Sequence, residues 1–419
     1  MEKRMELLPG VTLTAVQTEK FKTGCFSINF FRPLRREEAA MNALIPSVLL
    51  RGSEGCPDLR AIAARLDELY GASAGTLIRK KGEVQMTGFY ADFIEDALAG
   101  EPVFAPMMDF LGELLLRPRL ENGAFLAEYV ESEKRNLANA IASCVNDKRT
   151  YATGQLVKTM CAGEAYAVPR LGRAQDVAAI TPEELTRHWR EVLSGSQTEI
   201  FYAGRRAPEE VAAAFRSVFA GQEPTHIAPV ATVPHPAPVQ VREITERMDV
   251  TQGKLAIGLH TGILGTDADY PALMLLNAVF GSGMTSKLFV NVREKLSLCY
   301  YASSAVEKYK GLMLVSSGVE FDRYETAKDA ILGELEACRR GEISEAELES
   351  ARRGILSALR AALDVPARLD DYYIGNAIAG GDSVEALIEK ITRLSKDDLV
   401  RAAQRIRTDT VFFLEGVEA

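Results

Sequence analysis

Two hydrophobic patterns recur along the chain, one of period two and one of helical period. In the segments 23–31 and 252–260 large apolar residues stand at every second position, which predicts half-buried strands. The segment 344–363 is rich in Ala, Leu and Arg and opens with Ser344 and Glu347, the signature of a capping box at a helix start. Strands and helices occur in blocks. This order predicts an α+β fold, with an antiparallel sheet that carries helices on one face.

The same succession of segments is present twice. The matched pairs are 23–31 with 252–260, Gly52-Ser53 with Gly281-Ser282, 180–185 with 394–399, and 199–204 with 410–416. Four matches in the same order indicate an internal duplication. Between the copies, residues 222–240 contain five prolines, which predicts an extended, semi-stiff linker. We therefore predict two homologous domains, 1–221 and 241–419, joined by a linker at 222–240.

Composition and charge exclude several classes of protein. With 47% hydrophobic and 26% charged residues, the sequence is that of a globular protein. The net charge of −9 argues against a nucleic-acid partner, and no apolar run approaches the length of a membrane span. The first residues lack the apolar region of a secretory signal, and the six cysteines are scattered without a C-x-x-C motif. These features predict a cytoplasmic protein without a membrane partner.

Few residues are candidates for metal or nucleophilic chemistry. The four histidines begin at His188, and no two are spaced to present both imidazoles from one helix. His226 and His235 stand in the Pro-rich stretch, where we expect solvated side chains. Glu131 and Glu133 lie beside Lys134, a pattern typical of a salt-bridged helix face. No metal site or catalytic residue is predicted.

Two further segments have both a functional and a structural interpretation. The loop Phe280–Phe289 has Lys287 after Ser286 without the glycine spacing of a phosphate-binding loop, so a helix end at Gly281 or Gly283 is predicted instead. The segment 290–301 contains Arg293 and Tyr300. Alone, Arg293 is typical of a solvated helix charge. Together, guanidinium donors and a phenolic hydroxyl are suited to hold a peptide backbone.

These segments resemble the M16 metallopeptidases, the insulinase, pitrilysin and processing-peptidase family. The resemblance is carried by Gly281-Ser-Gly, Ser286–Phe289, Arg293-Glu-Lys and Leu298-Cys-Tyr300, with support from Arg65–Leu69 and Asn146-Asp147. It spans nearly the whole chain and implies two similar α+β domains. It also implies that Arg293 and Tyr300 bind substrate, Tyr300 being preferred to Tyr301 because of the family spacing.

The zinc motif of active family members is missing. Those members carry H-x-x-E-H on a helix of the first domain, whose two imidazoles hold Zn²⁺ while the glutamate activates water. In this sequence Ala43, Pro46 and Ser47 occupy these positions, and Ala140 or a neighbour stands where the third ligand belongs. Since the first domain lacks histidine up to His188, the resemblance implies no zinc cofactor in this chain.

The resemblance therefore implies a non-catalytic subunit of a heterodimeric M16-type zinc peptidase. A zinc-bearing M16 homologue would be the partner, and Arg293 and Tyr300 would grip a peptide substrate against the partner's zinc. The two chains would enclose a chamber that admits unfolded peptides. The alternative is a binding or scaffold protein that kept the fold without any role in peptidolysis.

Overall fold

The computed structural model describes residues 2–222 and 224–417, so that Glu223 of the predicted linker lies outside the described residues. The strands are β1 Glu2–Leu8, β2 Val11–Gln17, β3 Thr23–Pro33, β4 Ser73–Lys81, β5 Val84–Ile94, β6 Leu120–Glu121, β7 Ala124–Phe125, β8 Gln197–Gly204, β9 Arg242–Met248, β10 Gly253–His260, β11 Cys299–Glu307, β12 Leu312–Val319 and β13 Arg407–Gly416.

The helices fall between these strands in both halves of the chain. They are α1 Arg36–Leu49, α2 Leu59–Glu68, α3 Asp96–Ala99, α4 Phe104–Leu116, α5 Ala127–Ser143, α6 Lys148–Met160, α7 Ala174–Ala179, α8 Pro182–Gly195, α9 Pro208–Val218, α10 Tyr270–Phe280, α11 Tyr324–Arg339, α12 Glu345–Ala362, α13 Pro366–Ala379, α14 Val384–Arg393 and α15 Lys396–Arg405. A π-helical segment, Leu288–Lys295, precedes β11.

The first compact unit is built on a six-stranded sheet. It comprises residues 1–142, 168–231 and 364–378, and its strand order is β1-β2-β8-β3-β5-β4. Neighbouring strands are antiparallel except for β2 and β8, which are parallel. Phe26, Ile28 and Phe30 alternate along β3 and enter the main apolar core. The period-two pattern of 23–31 is thus explained, because every second side chain meets the helical layer.

The second compact unit repeats this topology. It comprises residues 143–167, 232–363 and 379–419, and its strand order is β11-β12-β10-β13-β9. Read from the other end, this matches β2-β8-β3-β5-β4, including one parallel pair, β9 with β13. The predicted α+β class and the duplication are confirmed. The predicted helix start at Ser344 is also confirmed, since Ser344 forms a capping box with Glu347. Thr181 and Ser395, at matching positions of the two copies, begin α8 and α15 with capping boxes as well.

Each sheet also receives one helix on the face opposite its main helical layer. In unit 2 this helix is α6, whose Ala152 and Leu156 pack on Ala256 and Phe412. In unit 1 it is α13, whose Tyr373 stacks on Phe201 of β8 with ring centroids 5.9 Å apart. The helices are equivalent in the two copies, yet each belongs to the unit built mainly from the other half of the chain. The contiguous domain limits 1–221 and 241–419 stay a prediction.

The connecting and surface features are consistent with the composition. In the described part of the Pro-rich stretch, 224–240, no residue belongs to a helix or strand, as its prolines predict. None of the helices in residues 2–222 and 224–417 has the length and apolar character needed to cross a bilayer.

A buried carboxylate anchors α13 to the first sheet. Asp370 is 5% exposed. It accepts a hydrogen bond of 2.5 Å from the Ser27 hydroxyl and forms an ion pair with Arg79. We expect Asp370→Ala to lower the free energy of unfolding by about 2–3 kcal/mol, since a buried charged hydrogen bond is lost. The neighbouring Asp371→Ala is the control. Its carboxylate is 60% exposed and paired with Lys81, so a loss below about 1 kcal/mol is expected in urea denaturation. Equal losses of unfolding free energy in the two variants would contradict the role of Asp370 in anchoring α13.

Candidate functional site

Arg293 lies in the π-helical segment Leu288–Lys295, in front of β11. Its guanidinium carbon stands 4.6 Å from the centroid of the Phe289 ring, and its side chain keeps 38% of its surface exposed. An ion pair of 3.5 Å joins it to Glu294. A π-helical turn is a recurrent feature of functional sites because it re-aims side chains by one position. The Arg293 guanidinium therefore lies over an aromatic ring and remains partly accessible to solvent.

A turn of restricted backbone conformation connects this helix to β11. Ser297 has φ of +50°, in the left-handed region that non-glycine residues seldom adopt. The amide of Leu298 donates to the carbonyl of Val292 at 3.1 Å, and the Ser297 carbonyl accepts from Arg323 at 3.3 Å. These contacts fix the Ser297 backbone in a conformation that costs free energy and persists only when its surroundings stabilise it. The turn fixes how Arg293 is presented relative to the start of β11.

Tyr300 occupies a β-bulge at the beginning of β11. Cys299 pairs with Val319 and Tyr301 with Gly318, so Tyr300 is the additional residue on this strand. Its side chain is 61% exposed, and its hydroxyl donates to a Glu320 carboxylate oxygen at 2.5 Å. This hydrogen bond raises the pKa of the Tyr300 phenol. Bulges re-aim side chains next to functional sites, and here the bulge turns Tyr300 toward solvent.

Tyr301 has a different environment, as alternation along the strand predicts. It is half-buried, and the Arg149 guanidinium of α6 lies 4.4 Å from its ring centroid while also donating to Ser303 at 2.6 Å. Burial raises the pKa of the Tyr301 phenol. Tyr301 therefore serves packing between α6 and the sheet. The choice of Tyr300 as the substrate-facing tyrosine stays a prediction, as does the role of Arg293.

The glycine loop before this segment has a structural explanation. Helix α10 ends at Phe280, with Gly281 as its C-cap residue. A Cβ on Gly281 would lie 2.4 Å from the Ser304 hydroxyl, so only glycine fits. Lys287 is buried and forms an ion pair of 2.8 Å with Glu347. The prediction of a helix end is confirmed, and Lys287 is engaged within the fold.

The positions of the family's zinc ligands carry no zinc-binding side chains. Ala43 and Pro46 are buried in α1, and Ser47 is half-buried beside them. Ala140 is exposed in α5. These side chains offer one hydroxyl and neither imidazole nor carboxylate, so they do not fit Zn²⁺. Two acids of α5 are used in ion pairs, as predicted. Glu131 pairs with Lys134 at 2.7 Å, and Glu133 pairs with Arg51 at 3.3 Å.

A neutral hydrogen-bond network occupies the same region of unit 1. Asn42 of α1, fully buried, donates to Gln85 at 2.9 Å, and its carbonyl oxygen lies 2.8 Å from His188 Nε2. Burial lowers the pKa of His188, which favours the neutral imidazole here. Satisfied buried networks of this kind rigidify a core. His188 is thus a structural residue, engaged with an amide.

A second buried cluster, which no sequence pattern predicts, lies in unit 2. His235 was expected to be solvated, and that prediction is wrong, whereas His226 is exposed as expected. His235 is 5% exposed because its ring lies between two carboxylates, with Nδ1 2.5 Å from Glu164 and Nε2 3.0 Å from Asp409. Burial lowers the pKa of His235, but hydrogen bonds with Asp409, Cys161 and Glu164 outweigh it and raise this pKa to about 10.

Two further cations complete this cluster. Lys310 is fully buried and pairs with the other oxygen of Glu164 at 2.7 Å. Arg242 pairs with Asp409 at 2.9 Å. The sequence signal for the cluster is Asp409, a charged residue just before the apolar run Val411–Leu414 of strand β13. Its partners come from distant segments, and no local pattern indicates them.

Comparisons with known proteins agree with this architecture. A family model described as the peptidase M16 inactive domain matches residues 179–355. A probable inactive metalloprotease of Bacillus subtilis strain 168, YmfF, is 34% identical over 412 residues, 98% of this chain and 96% of that protein. A conserved protein from Enterococcus faecalis V583 has a TM-score of 0.91 at 30% identity, covering 100% of this chain and 99% of that chain.

A more distant structure shows the same fold. The peptidase M16 inactive domain from Pseudomonas fluorescens has a TM-score of 0.81 at 17% identity, covering 99% of this chain and 98% of that chain. Together with the close relative from Bacillus subtilis, which matches nearly the full length of both chains, the duplicated fold and the full-length similarity identify the family: this chain belongs to the M16 peptidases.

Proposed function

We propose that this chain is the non-catalytic, substrate-gripping subunit of a heterodimeric M16-type zinc peptidase that acts on peptides. A partner chain with H-x-x-E-H supplies the zinc and the water-activating glutamate. This chain supplies Arg293 and Tyr300, which hold the substrate backbone against the partner's zinc site.

The asymmetry between the two sites supports this proposal. At the zinc positions, Ala43 and Pro46 are packed into the core of unit 1. The Arg293 and Tyr300 side chains remain accessible, at 38% and 61% exposed. A protein that had lost all peptide chemistry would have no need for a strained turn at Ser297 and a bulge at Tyr300 beside an accessible guanidinium. A division of labour between two chains accounts for both features.

The position of Tyr300 on an edge strand supports backbone recognition. Within the described residues, β11 pairs with β12 on one side and stands at the end of its sheet. An edge strand offers its free N–H and C=O groups to an extended peptide, which adds to the sheet as a further strand. The Arg293 guanidinium then donates to peptide carbonyls, and the Tyr300 hydroxyl orients them. Such recognition is independent of peptide sequence, because it uses main-chain groups.

The relative named as a probable inactive metalloprotease in Bacillus subtilis gives the non-catalytic part of the proposal independent support. Backbone gripping accelerates cleavage only where a zinc-bound water is presented to the held peptide. The proposal therefore requires a second chain, and its experimental test is the identification of that chain.

The test is affinity purification of the tagged full-length chain from its own cells, followed by mass spectrometry. We expect a near-stoichiometric M16 homologue that bears H-x-x-E-H, and peptide hydrolysis by the purified pair that a chelator abolishes. Arg293→Ala serves as the matched control, because this exposed side chain is assigned to substrate binding and the variant should still retain the partner. Recovery of the chain alone or as a homodimer would contradict the proposal and favour a binding or scaffold protein without peptidolysis.

A further inference from the structure

One group of three metal-ligating side chains lies together in residues 2–222 and 224–417, and it lies apart from the zinc positions of the family. Cys161, Glu164 and His235 place Sγ, a carboxylate oxygen and Nδ1 within 4.8 Å of one another. Cys161 follows the last turn of α6, Glu164 follows one turn later, and His235 comes from the Pro-rich stretch. Cys161 and His235 are both buried. We propose that these three residues form a structural Zn²⁺ site in unit 2, which goes beyond the proposed function.

The ligand geometry fits a tetrahedral zinc ion with one position left for water. With Zn–S near 2.3 Å and Zn–N near 2.05 Å, tetrahedral geometry separates S from N by about 3.6 Å. Cys161 Sγ and His235 Nδ1 are 3.8 Å apart. Nδ1 and Glu164 Oε1 are 2.5 Å apart and must separate to about 3.3 Å. Glu164 is 23% exposed, whereas Cys161 and His235 are buried, so Glu164 is the ligand that we expect to move.

The surrounding residues orient each ligand as in known zinc sites. His235 Nε2 lies 3.0 Å from Asp409, so that Asp409 accepts its proton and Nδ1 faces the other two ligands. This carboxylate–histidine arrangement fixes the tautomer at metal sites. Glu164 Oε2 is held by Lys310 at 2.7 Å, which leaves Oε1 for the metal. Arg242 donates to the carbonyls of Thr159 and Met160 and so fixes the backbone that precedes Cys161.

The charge of the buried cluster is compatible with metal entry. The carboxylates of Glu164 and Asp409 each pair with a fixed cation, Lys310 at 2.7 Å and Arg242 at 2.9 Å. Zn²⁺ binds a cysteine as thiolate and a histidine as neutral imidazole, so protons released from these ligands to solvent offset the charge that the ion adds. A thiolate and an imidazole together select zinc over the oxygen-preferring Mg²⁺ and Ca²⁺.

The site is separate from the substrate segment within the same unit. Lys310 lies in the turn that follows β11, whereas Tyr300 is at the start of that strand. The eight residues from Tyr300 to Glu307 are separated by seven strand intervals, which span about 23 Å. A zinc ion here fastens the end of α6 and the Pro-rich stretch to the sheet and takes no part in peptide cleavage.

The experiment is a metal titration of the purified full-length chain. The chain is first stripped of metal with a chelator and dialysed. After Zn²⁺ is added back and the excess removed, we expect one Zn²⁺ per chain by elemental analysis and a higher melting temperature than that of the metal-free chain. Co²⁺, as a spectroscopic substitute, should give a thiolate-to-cobalt charge-transfer band. Cys161→Ser should remove this band and weaken zinc binding by more than about 100-fold. Cys144→Ser, which removes an exposed thiol of the same unit, should leave both unchanged.

The wild-type chain alone decides the outcome if the Cys161 variant fails to fold. Absence of the cobalt charge-transfer band in wild-type protein would overturn the site and leave the cluster as a metal-free charge network. Zinc binding that survives Cys161→Ser would overturn it equally. Because neither readout depends on a partner chain or on hydrolysis, failure of this inference is distinguishable from failure of the proposed function.

Discussion

Replacing Arg293 by alanine should reduce peptide turnover by the assembled pair about 100-fold. A guanidinium donates charge-assisted hydrogen bonds to peptide carbonyls, and each such bond contributes about 1.5–3 kcal/mol. If it holds the scissile region in the transition state, its loss appears in kcat/KM by that amount. The measurement is steady-state hydrolysis of an unstructured peptide by wild-type and variant pairs, together with the fraction of chain that co-purifies with its partner.

The controls for this prediction come from the same segment. Lys295→Ala removes an exposed cation from the same helix, whose ammonium donates to Asn291 at 3.0 Å, and should leave turnover within about twofold. Tyr300→Phe removes only the hydroxyl and should cost about tenfold, because a neutral hydrogen bond contributes about 0.5–1.5 kcal/mol. Unchanged turnover in the Arg293 variant would remove its assigned role. Equal losses for Arg293→Ala and Lys295→Ala would indicate a nonspecific charge effect.

The duplication was accessible from the sequence because its signals are local. Alternation along 23–31 and 252–260 depends only on which side chains face the helices of a sheet. The capping boxes at Thr181 and Ser395 depend on residues three positions apart. Each of these patterns lies within one segment, so it can be recognised when the rest of the fold is unknown.

The sequence does not predict which sheet each of the equivalent helices α6 and α13 covers. Helices α6 and α13 each have an apolar side, but that side does not encode which sheet it covers. Tyr373 reaches Phe201 of β8, and Leu156 reaches Phe412 of β13. Both pairings depend on the path of the chain over more than 150 residues. Tertiary contacts of this range leave no periodic signal.

The candidate site is only partly accessible from the sequence, and the substrate-binding roles of Arg293 and Tyr300 stay a prediction. Arg293 and Tyr300 lie in one contiguous segment, so the resemblance of this segment to the M16 family identifies them as candidates. The features that present them are the left-handed Ser297 and the bulge at Tyr300, and neither follows from residue type. His235 was misjudged because proline neighbours predict a solvated loop. Its burial depends on Glu164 and Asp409, which lie 71 and 174 residues away.

Removing the charge of Asp409 should lower the free energy of unfolding by about 3–5 kcal/mol. Asp409 is 1% exposed and accepts from both His235 and Arg242. Asp409→Asn keeps the shape of the side chain but leaves the buried His235 and the half-buried Arg242 without their shared anion, and removing one partner of a buried ion pair is strongly destabilising. Urea denaturation in the presence of a chelator measures the loss in the metal-free chain.

The same two strands provide the matched control for Asp409. Arg247 of β9 and Glu415 of β13 form an ion pair of 2.8 Å, with Arg247 71% exposed, so Glu415→Gln should change stability by less than about 0.5 kcal/mol. The pair Arg242 and Asp409 differs from this one in burial and in its third partner, His235, while strand pairing is shared. A large difference between the variants therefore measures the buried cluster itself. Similar small losses would mean that water reaches the cluster and screens its charges, in which case His235 would not fasten the Pro-rich stretch to the sheet.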